Sequence, residues 1–307
     1  MTPSLARWGG ASRFADIDGP VHYVDFGGPR DAPRIVLVHG LGGSHLNWCL
    51  LAPRLAQHAQ VVAIDLAGFG LTYPAGRATS VPANVALLDR FLHDVVGTPA
   101  VLVGNSMGGM VTMLQAAERP ETVAGLVLVD PTLPVVAGVR PDRLVATTFL
   151  AYAVPGLGER YLARRRSTLP ARQLVQQVLN LCCADPSVVP EELVAASVAL
   201  VEQRAHEPGL DAAFLGAARS VLRLIARRRM GWATMRAIRA PVLLMHGEQD
   251  RLVSVRAARE AARRNPHWRF ETFPEAGHVP QLEVPDLVAD RILDWLAGRV
   301  SSDSAML

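Results

Sequence analysis

Short apolar runs ending in turn residues recur along the chain: residues 33–40 (PRIVLVHG), 59–70 (AQVVAIDLAGFG), 99–105 (PAVLVGN), 124–131 (AGLVLVDP) and 240–247 (APVLLMHG). Apolar residues are consecutive in these runs instead of alternating with polar ones, which is the pattern of strands buried on both faces. Between and after them, residues 80–97 (SVPANVALLDRFLHDVVG) and 284–298 (VPDLVADRILDWLAG) space their apolar residues at three and four. Helices that cover a sheet with one face have that spacing. The alternation predicts an α/β class with a doubly wound, mostly parallel sheet.

The alternation stops after Pro131 and resumes at Pro241. The interval is helical in flavour and broken by VPGLG, DPSVVPEE and HEPGLD. It reads as a helical insertion over 131–240 between two strands of one sheet, leaving 1–130 and 241–300 as a core and 301–307 as a flexible tail.

Composition changes this picture little, and charge changes it more. Half of the 307 residues are apolar and 19% are charged, as in an ordinary globular chain. All 31 basic residues are arginines, and residues 131–240 carry 15 of them against 8 acids, a net +7. The runs ARRRS (163–167) and ARRRMGW (226–232) read first as solvated surface of the insertion, with an anionic ligand or membrane surface as the alternative. The longest apolar stretch, residues 144–158, is too short to span a bilayer and contains Pro155. No secretory pattern opens the chain, so the expected location is cytoplasmic. Cys49, Cys182 and Cys183 have neither disulfide-framework nor zinc-site spacing and read as buried thiols.

Residues 101–110 (VLVGNSMGGM) place Gly104-x-Ser106-x-Gly108 directly after a buried strand and directly before a helix. A sharp turn there exposes a serine hydroxyl at the sheet edge, and flanking glycines let neighbouring segments approach. A serine needs a base oriented by a carboxylate. Asp250 follows the strand-like PVLLMHGEQD, and His278 follows the last strand-like segment, WRFETF, so serine, acid and base come in the order this turn uses. Asp130 also ends a buried strand and competes with Asp250 for the acid role. The glycine-rich loop HGLGGS offers the backbone N–H of Leu41, which with that of Met107 would form an oxyanion site. His39, His246 and Asp65 read as loop-structuring residues, and His45 and Trp48 as either pocket lining or part of the first helix. Neither a phosphate-binding G-x-x-x-x-G-K-[ST] loop nor a dinucleotide G-x-G-x-x-G after a strand is present.

HGLGGS (39–44), DLAGFGLT (65–72), GNSMGG (104–109), HGEQDRLV (246–253) and GHVPQLE (277–283), in this order, resemble the α/β-hydrolase superfamily and its capped members. The resemblance implies Ser106 as nucleophile, Asp250 as orienting acid and His278 as base, with 131–240 a lid. It also implies a serine esterase acting on small to medium apolar esters without metal or organic cofactor, and with no nucleic-acid partner. Two alternatives stay open. One is a carbon–carbon bond hydrolase of the meta-cleavage type, although such enzymes usually carry tryptophan after the histidine, where this chain has Val279, a candidate pocket residue. The other is a ligand-sensing protein on the same fold.

Overall fold

The computed structural model describes residues 5–136, 138 and 142–304, with side chains described as far as Gly298. Eight strands form one sheet: β1 (Ala11–Asp16), β2 (Pro20–Gly27), β3 (Arg34–Val38), β4 (Gln60–Ile64), β5 (Ala100–Asn105), β6 (Val123–Val129), β7 (Val242–Gly247) and β8 (Arg269–Phe273). Their spatial order is β1-β2-β4-β3-β5-β6-β7-β8. β1 and β2 pair antiparallel, as do β2 and β4, and all other pairs are parallel.

The consecutive apolar runs have a direct structural cause. Side chains alternate across a strand. Val36, Val38, Leu102, Leu126, Leu128 and Leu244 therefore enter the core on one face, while Ile35, Leu37, Val101, Val103, Val127, Val129, Leu243 and Met245 enter a second core on the other. Fully burying one such side chain contributes about 1.5–3 kcal/mol, so both residue sets are needed.

Helices cover both faces. On the first lie α2 (Val81–Phe91), α3 (Met107–Glu118) and α10 (Val255–Arg264), through residues such as Phe91, Val111 and Ala258. On the second lie the one-turn α1 (Ala52–Leu55) and α12 (Pro285–Ser304), through Leu55, Val288 and Ile292. Another single turn, α11 (Pro280–Glu283), precedes α12. Residues 301–304, expected to begin a flexible tail, continue α12 as its last turn, and 305–307 lie outside the described residues.

Between β6 and β7 the chain forms α4 (Arg143–Ala153), α5 (Leu157–Thr168), α6 (Ala171–Cys182), α7 (Glu191–Arg204), α8 (Leu210–Ala226) and α9 (Arg228–Ala237). Trp232 and Met235 of α9 join the first core and Leu193 and Val194 of α7 the second, so the inserted helices pack against both halves of the molecule.

The β1–β2 hairpin lacks the consecutive apolar signature because β1 is an edge strand, exposed along most of its length. Its turn carries Asp18 and Gly19, both at positive φ, in the Asp-Gly sequence that favours tight hairpins.

Candidate active site

β5 runs directly into α3 through Ser106, whose φ of 54° and ψ of −118° lie outside the ordinary regions for a residue with a side chain. Such a conformation costs on the order of 1–3 kcal/mol and persists only where the surroundings enforce it. They do so here through close packing. A Cβ on Gly108 would lie 2.1 Å from the carbonyl oxygen of Val38, and one on Gly104 would lie 2.6 Å from that of Gly108. The start of α3 is thus pressed against β3 and β5, and the Ser106 N–H donates to the carbonyls of Val129 and Asp130, each at 3.2 Å.

His278 and Asp250 are joined by a hydrogen bond of 2.7 Å between Nδ1 and Oδ2. The other oxygen of Asp250 accepts from the backbone N–H groups of Leu252 at 2.7 Å and Val253 at 3.0 Å, fixing the carboxylate plane. A carboxylate on Nδ1 holds a proton there and leaves Nε2 as an acceptor. Burial acts to raise the Asp250 carboxyl, but the His278 charge and hydrogen bond outweigh it, and the group sits below its ordinary range. Asn105, the residue before Ser106, donates through Nδ2 to the His278 carbonyl at 3.0 Å and to the Val129 carbonyl at 3.0 Å. The histidine loop is therefore tied to the strand that ends at the serine.

Asp130 also lies at this place, one strand away. Its Oδ1 accepts from the Gly247 N–H at 2.9 Å, and its buried Oδ2 has no donor. Burial, and then the neighbouring Asp250, push its carboxyl well above the usual range. A carboxylate oxygen of Asp130 lies within 4.8 Å of one of Asp250, so the two buried carboxyl groups disfavour each other's charge. The alternative acid read from the sequence is thus a neighbour of Asp250, and it is Asp250 that accepts the hydrogen bond from His278. His246 lies beside both, with Nε2 donating to the Val253 carbonyl at 2.9 Å.

On the other side of Ser106, a Cβ on Gly40 would lie 2.9 Å from that of the serine, so the loop carrying Leu41 passes directly against it. Met107 is the first residue of α3, where backbone N–H groups have no intrahelical acceptor. His39 is fully buried, with Nδ1 donating to the Gly40 carbonyl at 2.8 Å and Nε2 accepting from the Leu66 N–H at 3.0 Å. The second bond requires the neutral ring, and burial lowers its pKa to about 4.

His45, read as a candidate pocket residue, is buried against Asp65. Its backbone N–H donates to Oδ1 of Asp65 at 2.6 Å and its Nδ1 to Oδ2 at 2.9 Å. Trp48 is wholly buried in the second core, and Val279 packs into that same core. Asp65, read as a turn residue, is the centre of a larger cluster, since its Oδ2 also accepts from the Leu71 N–H at 2.8 Å and from His22 Nδ1 at 2.7 Å. Sequence reading passed over His22 because only the tertiary fold brings it to Asp65. Donor atoms of His22, His45 and Asp65, and those of Asp130, His246 and Asp250, each lie within 4.8 Å of one another, a spacing that a metal ion tolerates. In the first cluster both imidazoles turn a protonated nitrogen to the carboxylate, so those atoms serve as hydrogen-bond donors.

The inserted helices reach this site at three points. The Cys182 carbonyl accepts from the His278 N–H at 2.6 Å. Glu283 receives the N–H groups of Ala184 at 2.7 Å and Gly277 at 2.8 Å, joining the end of α6 to the histidine loop. Phe214 of α8 lies over the glycine-rich loop, 3.2 Å from where a Cβ on Gly42 would be. The arginine runs divide: Arg166 pairs with Asp211 at 2.6 Å and Arg165 stacks 5.5 Å from the Tyr161 ring centre, while Arg227, Arg228 and Arg229 are exposed. The three cysteines are unpaired, and burial pushes the Cys49 and Cys182 thiols up to about 12. None of the described helices is long and apolar enough to cross a membrane.

This sheet order carries a serine at the strand-to-helix corner and a histidine–carboxylate pair whose histidine loop Asn105 ties to that strand. The Alpha/beta hydrolase family model matches residues 35–291, and the chain belongs to that family. It is 33% identical to the pimeloyl-[acyl-carrier protein] methyl ester esterase of Aromatoleum aromaticum, over 87% of this chain and 99% of that protein. It is 27% identical to the 2-hydroxy-6-oxo-2,4-heptadienoate hydrolase of Pseudomonas putida, over 92% of this chain and 94% of that one. Among solved structures it resembles a membrane phospholipase A described as a bacterial virulence factor, with a TM-score of 0.72 and 26% identity over 97% of this chain and 88% of that one.

Proposed function

We propose that this protein is a serine carboxylesterase that cleaves apolar esters through an acyl-enzyme on Ser106. The observation that carries the reading is the Asp250–His278 hydrogen bond of 2.7 Å, together with a serine held at φ 54° at the end of the strand that Asn105 ties to the histidine loop. The similarity to a methyl ester esterase supports the bond type.

In the proposed reaction Ser106 Oγ attacks the ester carbonyl while His278 Nε2 takes its proton. Asp250 keeps the other imidazole proton on Nδ1 and stabilises the imidazolium as it forms. The oxyanion receives the N–H groups of Leu41 and Met107, the latter at the positive end of α3. Collapse expels the alcohol, protonated by His278, and water then enters by the same route to release the acid. The inserted helices, touching the site at Cys182 and Phe214, act as the lid that receives the apolar part of the substrate.

Steady-state hydrolysis of p-nitrophenyl esters tests the reading. Ser106→Ala should lower kcat by about ten-thousandfold or more with the fold unchanged. Full turnover in that variant removes Ser106 from the role. A wild-type protein that binds esters but does not turn them over would instead be a ligand sensor.

A further inference from the structure

We propose that Ser12, on the edge strand β1 and outside the site above, is a second activated serine that accepts reactive acyl and phosphonyl groups. The structure shows an unbroken hydrogen-bonded chain there. Ser12 Oγ lies 2.8 Å from His22 Nε2, and His22 Nδ1 lies 2.7 Å from Asp65 Oδ2.

The direction of these bonds follows from Asp65. It accepts from two backbone N–H groups and from two imidazoles, and although burial acts to raise its pKa, the His45 and His22 interactions hold it well below the ordinary carboxylate range. An ionised Asp65 keeps the His22 proton on Nδ1. In the neutral ring Nε2 is then the acceptor, and the Ser12 hydroxyl is the donor. His22 is completely buried while Ser12 is exposed, so the base is shielded from water and the nucleophile is open to reagents. These are the parts that activate a serine: a hydroxyl, a neutral imidazole, and a carboxylate fixing its tautomer.

Ser12 differs from Ser106 in setting. It lies within a strand paired with β2, opposite Val24, and not at a strand-to-helix corner with helix N–H groups beside it. Without such donors the tetrahedral state of an ordinary ester gains little, so Ser12 reacts with strongly activated electrophiles and keeps the product. With a fluorophosphonate, the Oγ–P bond forms, the P–F bond breaks, fluoride leaves, and the hydroxyl proton passes to His22 Nε2. With an activated aryl ester, the Oγ–acyl bond forms, the aryloxide leaves, and the proton goes to the same nitrogen. Ser12 is thus a stoichiometric modification site.

Intact-mass and peptide mapping of Ser106→Ala treated with a fluorophosphonate tests this without interference from the proposed nucleophile. One adduct should appear, on Ser12, and it should be absent from Ser106→Ala/Ser12→Ala. The same Ser106→Ala protein unfolded in urea should label Ser12 about a hundredfold more slowly, the size of a lost general base. Ser12→Ala alone should leave ester turnover unchanged. No Ser12 adduct on the folded protein, or equal labelling when folded and unfolded, overturns the proposal.

Discussion

Asp130 directly follows β6 and Asp250 lies in the turn after the adjacent parallel β7, with a carboxylate oxygen of each within 4.8 Å of the other, and burial and Asp250 push the Asp130 carboxyl up while His278 holds that of Asp250 down. Two buried carboxylates this close cannot both carry charge, and the one touching the imidazole is the one that ionises. The pair therefore assigns its own roles. Asp250→Asn should reduce kcat about a thousandfold or more by favouring the wrong imidazole tautomer. Asp130→Asn keeps an oxygen acceptor for the Gly247 N–H and should cost less than about tenfold. Asp130→Ala leaves the Gly247 N–H without its partner and should lower stability by about 1–3 kcal/mol. Steady-state kinetics and urea unfolding of the three variants check this, and a reversed order of damage would move the acid role to Asp130.

The glycines around Ser106 should separate folding from turnover. Gly108→Ala drives a methyl to 2.1 Å from the Val38 carbonyl, backbone against backbone, and should prevent folding or cost several kcal/mol. Gly40→Ala meets the Ser106 Cβ at 2.9 Å and should disturb the serine and its oxyanion loop, lowering kcat more than the urea midpoint. Urea melts and kcat measured side by side distinguish the two effects.

His39 should give the fold an acid-sensitive limb. Its pKa is lowered from 6.5 to about 4 by burial, so the unfolded chain takes up a proton at a pH where the folded protein does not. Stability is fully present above the unfolded value and declines as pH falls toward 4, by about 3 kcal/mol from this group. Urea midpoints between pH 7 and 4 should fall accordingly, and His39→Gln should flatten that slope. A slope unchanged in the variant would refute the assignment.

Acyl-chain length should report on the proposed lid. Each added methylene buried against the inserted helices contributes about 0.8 kcal/mol, a three- to fourfold rise in kcat/KM over a short series before the pocket fills. A p-nitrophenyl ester series measures this directly. A dienoate of the type acted on by carbon–carbon hydrolases should be cleaved far more slowly than the best ester, and the opposite result would replace ester hydrolysis with that chemistry.

The features legible in the sequence are those whose physical cause is local. Strands buried on both faces must be apolar throughout, so β3 to β7 announce themselves. A helix pressed onto its preceding strand must carry glycine on either side of the corner, so Ser106 does too. The order of Ser106, Asp250 and His278 follows from strands ending at one sheet edge. What only the tertiary structure decided depends on neighbours distant in the chain. β1 lacks an apolar run because an edge strand buries little. Trp48 and His45 went to the core and to Asp65 because packing and a buried charge claimed them. Asp130 and Asp250 both follow buried strands in the sequence, and they become different only because Asp250 accepts from His278 while Asp130 accepts from the Gly247 N–H. Ser12, His22 and Asp65 acquire meaning together only once the hairpin pairs through β2 with β4, since nothing in their spacing of 10 and 43 residues links them.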